Sequence, residues 1–266
     1  MEIGVSTSCF YPLETEKAFL YLAEKGVKTT EIFFNSPCEL APDFVSELKR
    51  VKDHYGMTVR TLHPFTSATE PYFYFGNYER RVSDVMETYK RFFEVGEVLG
   101  AECLVIHGSR PQKHLTEELY CERFARLVEM GKKHGVLPAQ ENVVNCLSSS
   151  PEFLKKLKSF IGDDFRAILD IKQTVRAATD IYTYIDAIGD SIVRVHVSDN
   201  DSDHDCLPPG EGNFDFVKLF KKLDEIGYKG DGVVELYNDN YENNEQIFIA
   251  IEYLKKELEN GSKKFD

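Results

Sequence analysis

Short runs of apolar and β-branched residues alternate along this chain with stretches that have the spacing of amphipathic helices. A helical stretch follows each of the eight runs. The runs are Ile3–Cys9, Glu31–Phe34, Thr58–His63, Cys103–His107, Leu137–Val143, Ala167–Ile171, Ile192–Val197 and Val233–Leu236. Because strands buried on both faces read as nearly continuous apolar runs, this alternation predicts a parallel sheet covered by helices.

The number of these units and the length of the chain together favour one closed fold. Eight βα units in 266 residues fit a single α/β domain, a (β/α)8 TIM barrel over residues 1–266. An open, doubly wound sheet is the main alternative.

Composition restricts the class of partner. The chain has 32 basic and 45 acidic residues, and its net charge of −13 argues against nucleic acid and against an anionic membrane surface. The six cysteines are scattered without a CxxC pair, which favours a reducing compartment over a disulfide framework. We therefore expect a cytoplasmic protein that binds neither nucleic acid nor a membrane.

The residues at the C-terminal ends of the predicted strands indicate the function. In a barrel of this kind, the C-terminal ends of the strands form one mouth, where the chemistry takes place. Six successive strands end at His63, His107, Glu141, Asp170, His196 and Glu235. A lone His or Glu at a strand end is more often a solvated rim residue, but carboxylates that converge repel each other unless a cation compensates them. The pattern predicts one divalent metal ion, and two Glu, one Asp and one His suit Mn, Mg, Co or Zn.

The order of these residues resembles the xylose isomerase-like TIM barrels, a superfamily of sugar-phosphate isomerases, sugar epimerases and apurinic endonuclease IV. The resemblance covers essentially the whole chain. It rests on His63-Pro64, Ile106-His107-Gly108, Gln140-Glu141-Asn142, Leu169-Asp170-Ile171, Val195-His196-Val197-Ser198-Asp199, Leu207–Phe216 and Val233-Val234-Glu235.

The resemblance implies a ligand set and a mechanism. Its metal ligands would be Glu141, Asp170, His196 and Glu235. The implied activity is that of a divalent-metal-dependent sugar or sugar-phosphate isomerase or epimerase, with Glu141 and Glu235 as the catalytic acid and base. Proton transfer would pass through a metal-stabilised enediolate. A metal-dependent dehydratase of the same superfamily, acting on a dehydroshikimate-type substrate, and a non-catalytic sugar-binding barrel remain as alternatives.

Two departures from the endonuclease pattern argue against DNA repair. Gln173 and Cys206 stand where those enzymes carry histidines, and His204 stands where they carry an aspartate. The third zinc ion of the endonucleases would lose its usual ligands, although Gln173, His204 and Cys206 remain a candidate second metal site.

Further polar residues are expected to contact a small sugar or sugar phosphate. His63 and His107 would hydrogen-bond its hydroxyl groups, and Lys172 and Arg176 would pair with a phosphate or carboxylate.

Aromatic residues are expected to stack on the substrate. The chain has no Trp, so stacking would fall to Phe10, Tyr11, Phe34, Phe65 or Tyr237, among which we select Phe10 and Phe34. The segment Phe73–Phe75 would act as a lid, as a packing patch or as a subunit contact in a homo-oligomer.

Overall fold

The computed structural model describes residues 1–262 and has the predicted (β/α)8 barrel as a single domain. Within these residues, eight parallel strands close in sequence order, with the eighth beside the first. They are β1 (Ile3–Ser6), β2 (Thr29–Phe33), β3 (Thr58–His63), β4 (Cys103–Ile106), β5 (Leu137–Glu141), β6 (Arg166–Asp170), β7 (Ile192–Val197) and β8 (Asp231–Val234). Closure excludes the doubly wound sheet, because that fold has two unpaired edge strands. The predicted domain boundary at residue 266 lies outside the described residues.

Helices form the outer layer of the barrel. The described residues contain α1 (Thr15–Glu24), α2 (Pro42–Tyr55), α3 (Glu70–Phe73), α4 (Glu79–Leu99), α5 (Glu117–Lys132), α6 (Pro151–Ile161), α7 (Ile171–Arg176), α8 (Ile181–Ile188), α9 (Phe216–Glu225) and α10 (Glu245–Ser262). Among these residues, no helix is long and apolar enough to cross a membrane.

The predicted alternation of one helix with one strand is wrong at two places. The short helix α3 lies between β3 and α4, and both α7 and α8 follow β6. Ala178 takes a φ of 48° after α7, and the Asp180 side chain then caps α8 by accepting a hydrogen bond from the backbone N–H of Tyr182. A left-handed residue followed by an N-cap is a local signal that ends one helix and starts another.

The aromatic segment after β3 packs into the fold. Tyr74 and Phe75 are fully buried, and the Phe75 ring stacks on Tyr120 with the centroids 4.2 Å apart. Of the three aromatic residues, Phe73 is the most exposed, at 42%. Because most of its apolar surface is already buried, this segment is a packing patch rather than a lid.

A small apolar floor lies beneath the mouth of the barrel. It forms a cluster separate from the main core between the sheet and the helices, and it contains Cys103, Val105, Ala139 and Ile168. Glu141 follows Ala139 by two positions, and Asp170 follows Ile168 by two, so each shares a face of the sheet with its apolar neighbour. The same alternation therefore fills the barrel interior and presents carboxylates above it.

Candidate metal and active site

The four predicted ligands meet at the mouth of the barrel. Glu141 and Asp170 end β5 and β6, His196 lies near the end of β7, and Glu235 follows β8. All four are at most 9% exposed, and one ligand atom from each lies within 4.8 Å of the others. Three carboxylates and one imidazole at this spacing are able to hold a metal ion.

Hydrogen bonds fix Asp170 at its backbone and at one of its two carboxylate oxygens. Asn142 accepts a hydrogen bond from the Asp170 N–H at 2.7 Å and donates one to the Asp170 carbonyl at 3.2 Å. Asp170 Oδ1 accepts the backbone N–H of Gln173 at 3.1 Å and so caps α7. The other oxygen, Oδ2, is thereby directed at the cluster, 3.6 Å from His196 Nδ1.

Glu31, which sequence analysis did not select, orients His196. Glu31 is fully buried in the middle of β2, and its Oε2 lies 3.0 Å from His196 Nε2. Ser6 donates to the other oxygen of Glu31 at 3.0 Å. A proton on Nε2 that points at Glu31 leaves His196 Nδ1 facing the ligands, as in carboxylate–histidine–metal arrangements. The available signal was a Glu within a run of β-branched and apolar residues.

Lys172 lies among the ligands. Its ammonium contacts Asp170 Oδ2 and Glu235 Oε2, and its side chain is 4% exposed. The ammonium lies 5.9 Å from the centroid of the Tyr237 ring. The predicted role of Lys172 was to pair with an anionic group of the substrate, whereas its carboxylate partners here belong to the protein.

The two candidate catalytic glutamates have different electrostatic environments. Burial raises the pKa of Glu141, and the nearby His107 opposes that rise only in part. Burial acts in the same direction on Glu235, but His196 and Lys172 outweigh it and hold the pKa of Glu235 well below its usual range. The pKa of Glu141 is therefore raised and that of Glu235 is lowered, and a pair of carboxyl groups separated in this way is suited to acid–base catalysis.

His63 and His107 lie on the opposite side of Glu141. Their Nε2 atoms are 2.9 Å apart, and His107 Nε2 lies 3.1 Å from Glu141 Oε2. With Glu141 they form a second group whose spacing could hold a metal ion. Burial, reinforced by His107, lowers the pKa of His63 well below its ordinary value, so its ring is neutral.

A further buried carboxyl supports the backbone beside His107. Glu70 accepts hydrogen bonds from the Gly108 N–H at 2.5 Å and from the Tyr89 hydroxyl at 2.7 Å. Burial raises the pKa of Glu70 to about 7, although these two hydrogen bonds favour its charged form.

A cavity of about 350 Å³ opens over the cluster, and Glu141, Lys172 and Glu235 are among its lining residues. This volume is at the small end of the range for small-molecule pockets. Its aromatic and aliphatic walls come from Tyr11, Phe33, Leu236 and Tyr237.

The donor atoms fit a metal ion. Within residues 1–262, His196 Nδ1 and Glu141 Oε2 are buried polar atoms without a hydrogen-bond partner of good geometry. Buried polar atoms in this state cost free energy, and a bound cation would satisfy both of them.

The sequence matches the model of a known protein family. The model for the xylose isomerase-like TIM barrel matches residues 19–257. The chain belongs to the xylose isomerase-like TIM barrel family.

Relatives of this family can be recognised by sequence and by structure. An uncharacterized protein of Methanocaldococcus jannaschii is 27% identical over 254 residues, covering 90% of this chain and 84% of the relative. A fructoselysine 3-epimerase of Shigella flexneri is 24% identical over 253 residues, with 89% and 90% covered. A solved D-tagatose 3-epimerase-like protein superposes with a TM-score of 0.82 at 22% identity over 98% of both chains. The IOLI protein, solved with a zinc atom, superposes with a TM-score of 0.75 at 19% identity over 100% of this chain and 99% of that one.

The selection of Phe10 and Phe34 as residues that stack on the substrate needs correction. Phe34 is fully buried against Phe92, with the ring centroids 5.8 Å apart, and Phe10 packs on Tyr21 at 5.4 Å. Phe33 lines the cavity instead. A shift of one position, from Phe34 to Phe33, decides which ring faces the cavity, because successive side chains of a strand point to opposite faces.

Arg176 is not among the residues that line the cavity, but it contacts Tyr237, which does line it. Its guanidinium pairs with Asp205 at 2.6 Å and donates to the Tyr237 hydroxyl at 3.0 Å. Its charge is therefore already matched by a carboxylate of the protein.

The three residues of the candidate second metal site have separate surroundings. His204 has a side chain that is 59% exposed and pairs with Asp201, Cys206 is buried, and Gln173 accepts the backbone N–H of Val144. The candidate metal groups among the described residues include neither His204 nor Cys206.

Proposed function

We propose that this protein is a divalent-metal-dependent epimerase or isomerase of a small sugar or sugar phosphate. The observation that carries the proposal is the meeting of Glu141, Asp170, His196 and Glu235 beneath one cavity. Relatives named as a fructoselysine 3-epimerase and a D-tagatose 3-epimerase-like protein support sugars as the substrate class.

The four ligands would hold one divalent ion, and Mn, Mg, Co and Zn all suit this donor set. Such an ion supplies positive charge that stabilises the negative charge developing on a substrate when a carbon beside its carbonyl loses a proton. The zinc atom in the IOLI structure supports a divalent ion.

The proton transfer is assigned to Glu141 and Glu235. Ionised Glu235 takes the proton from the substrate carbon, and the electron pair of that C–H bond stays on the substrate. Protonated Glu141 then returns a proton to the other face of the carbon, which inverts its configuration. The residues follow from β8 and β5, three strands apart around the barrel, and so reach the substrate from different sides. The reverse reaction exchanges their roles.

The walls of the cavity would position the sugar. His63 and His107 line it and can hydrogen-bond hydroxyl groups, while Phe33 and Tyr237 offer ring faces. Lys172 and Arg176, the two cations predicted to bind a phosphate, are both paired with carboxylates of the protein.

The test is isotope exchange in D2O. The protein, loaded with Mn²⁺ or Co²⁺, is incubated with a panel of ketopentoses and ketohexoses, and NMR follows both the loss of carbon-bound protons and the appearance of epimers. Glu141→Gln and Glu235→Gln should each abolish exchange, while exposed Glu122→Gln should retain it. Tight sugar binding without any exchange would instead establish a non-catalytic sugar-binding barrel. A product with new ultraviolet absorbance from a polyol acid would establish the dehydratase.

A further inference from the structure

The ammonium of Lys172 and the predicted metal ion need the same oxygens. Lys172 contacts Asp170 Oδ2 and Glu235 Oε2. These two atoms also face His196 Nδ1, at 3.6 Å and 3.2 Å. An ion bound by Asp170, Glu235 and His196 would have to contact Asp170 Oδ2 and Glu235 Oε2, and the ammonium already contacts both of these oxygens.

The charges of the cluster explain why a lysine would be held there. The ligand set brings three carboxylates within 4.8 Å, and each is at most 9% exposed. Buried carboxylates at this spacing require positive charge, and Lys172 supplies it from within the chain. A divalent ion supplies twice the charge at the same point.

Lys172 also has another position within reach. It lies in the first turn of α7 and lines the cavity, and its ammonium is 5.9 Å from the Tyr237 ring. Its stem has four rotatable carbons, and an aromatic face attracts an ammonium group. Motion of the side chain alone can therefore move the charge from the carboxylates into the cavity.

We propose that Lys172 is an internal competitor of the metal ion. In the metal-free protein its ammonium holds Asp170 and Glu235 together. When the ion binds, the ammonium moves to the cavity beside Tyr237, where it faces the substrate. This inference rests on the proposed function, because it requires that the ligand set binds a divalent ion.

Cobalt binding by a Lys172→Met variant tests the proposal without a substrate. Co²⁺ is titrated into wild type, Lys172→Met and Lys133→Met, a surface control, and binding is followed by calorimetry and by the visible absorbance of cobalt. We expect Lys172→Met to bind Co²⁺ about tenfold more tightly, because no ammonium has to be displaced. Its metal-free form should melt about 5–10 °C below the wild type, because buried carboxylates lose their partner, and Co²⁺ should reverse this loss.

The outcomes separate the two proposals. Equal or weaker Co²⁺ binding by Lys172→Met, with normal binding by the wild type, overturns the competition and leaves the proposed function standing. Failure of all three proteins to bind Co²⁺ overturns both proposals.

A measurement on the wild type covers the case in which Lys172→Met does not fold. Amine acetylation is mapped by mass spectrometry with and without Co²⁺. Lys172 should react several-fold faster in the metal-loaded protein, because its ammonium has left the carboxylates, while exposed Lys133 should react equally in both states. An unchanged rate at Lys172 overturns the proposal.

Discussion

Charged side chains cluster at both ends of the barrel, and the two groups differ in their balance of charge. At the N-terminal ends of the strands lies a group that we name the base cluster, consisting of Arg60, Glu102, Arg194 and Asp231. Arg194 pairs with Glu102 at 2.5 Å and lies 3.8 Å from Asp231, while Arg60 contacts both acids. Two positive charges therefore face two negative charges.

The other group, the mouth cluster, has more acid than base. It consists of Glu31, Glu141, Asp170, Lys172, His196 and Glu235. Four carboxyl groups face Lys172 and His196, and His107 also lies 3.1 Å from Glu141. A cluster with balanced charges can serve the fold alone, whereas an acid-rich cluster can also accept a cation from solution.

The largest expected difference concerns turnover at the two ends of β8. Glu235→Gln should lower kcat by about 10³-fold, because it removes a general base. Asp231→Asn, at the start of the same strand, should leave kcat almost unchanged. Steady-state kinetics and circular dichroism check both variants. An equal loss of kcat in Asp231→Asn would mean that the two clusters do not divide catalysis and stability.

The next difference concerns stability. Arg194→Met should lower the free energy of unfolding by about 3 kcal/mol, because it leaves buried acid without its partner. The Arg194 side chain is 3% exposed, whereas that of the control Arg50→Met is 75% exposed. Urea denaturation measures both, and Co²⁺ affinity should be the same in all three proteins. A weakened Co²⁺ affinity in Arg194→Met would contradict the independence of the clusters.

A smaller effect is expected from Glu31, which touches the metal site only through His196. Glu31→Gln should weaken Co²⁺ binding about tenfold, because the negative charge behind the imidazole is lost. Calorimetry measures the affinity, and Glu122→Gln provides the control. Unchanged affinity in Glu31→Gln would restrict Glu31 to a structural role.

A separate effect concerns the pH dependence of stability near the mouth. The pKa of Glu70 is about 7 in the folded protein and higher than in the unfolded chain, so folding favours its protonated form. Its stabilising contribution is therefore complete below about pH 4.5 and is lost as the pH rises through 7. Glu70→Gln should reduce the fall in unfolding free energy between pH 5 and pH 8, by less than about 1.4 kcal/mol per pH unit. Urea denaturation at several pH values would contradict this if the slope were unchanged.

The site residues at the ends of the strands could be predicted because each is a polar residue that ends an apolar run, and these ends lie at the C-terminal edge of the barrel. Glu141, Asp170, His196 and Glu235 were all selected in this way, and the closed barrel brings them together. Parallel strands share one C-terminal edge, so their sequence positions alone determine their common location.

Residues whose role depends on the direction of the side chain are harder to predict from the sequence. The second apolar run of the sequence begins at Glu31, whereas β2 begins at Thr29 and carries Glu31 at its centre. The same shift by a few residues obscured which of Phe33 and Phe34 faces the cavity. A strand reverses its faces at every residue, so small errors in its bounds exchange buried and cavity-lining side chains.

The closure of the barrel between β1 and β8 also bears on how the protein matures during synthesis. A ribosome-bound chain that lacks β8 has already made Glu141, Asp170 and His196, but it lacks Glu235 and leaves β1 and β7 without a shared neighbour. Such a chain lacks the complete ligand set, whatever metal is present. Tight metal uptake would thus mark the moment at which the last strand joins the first.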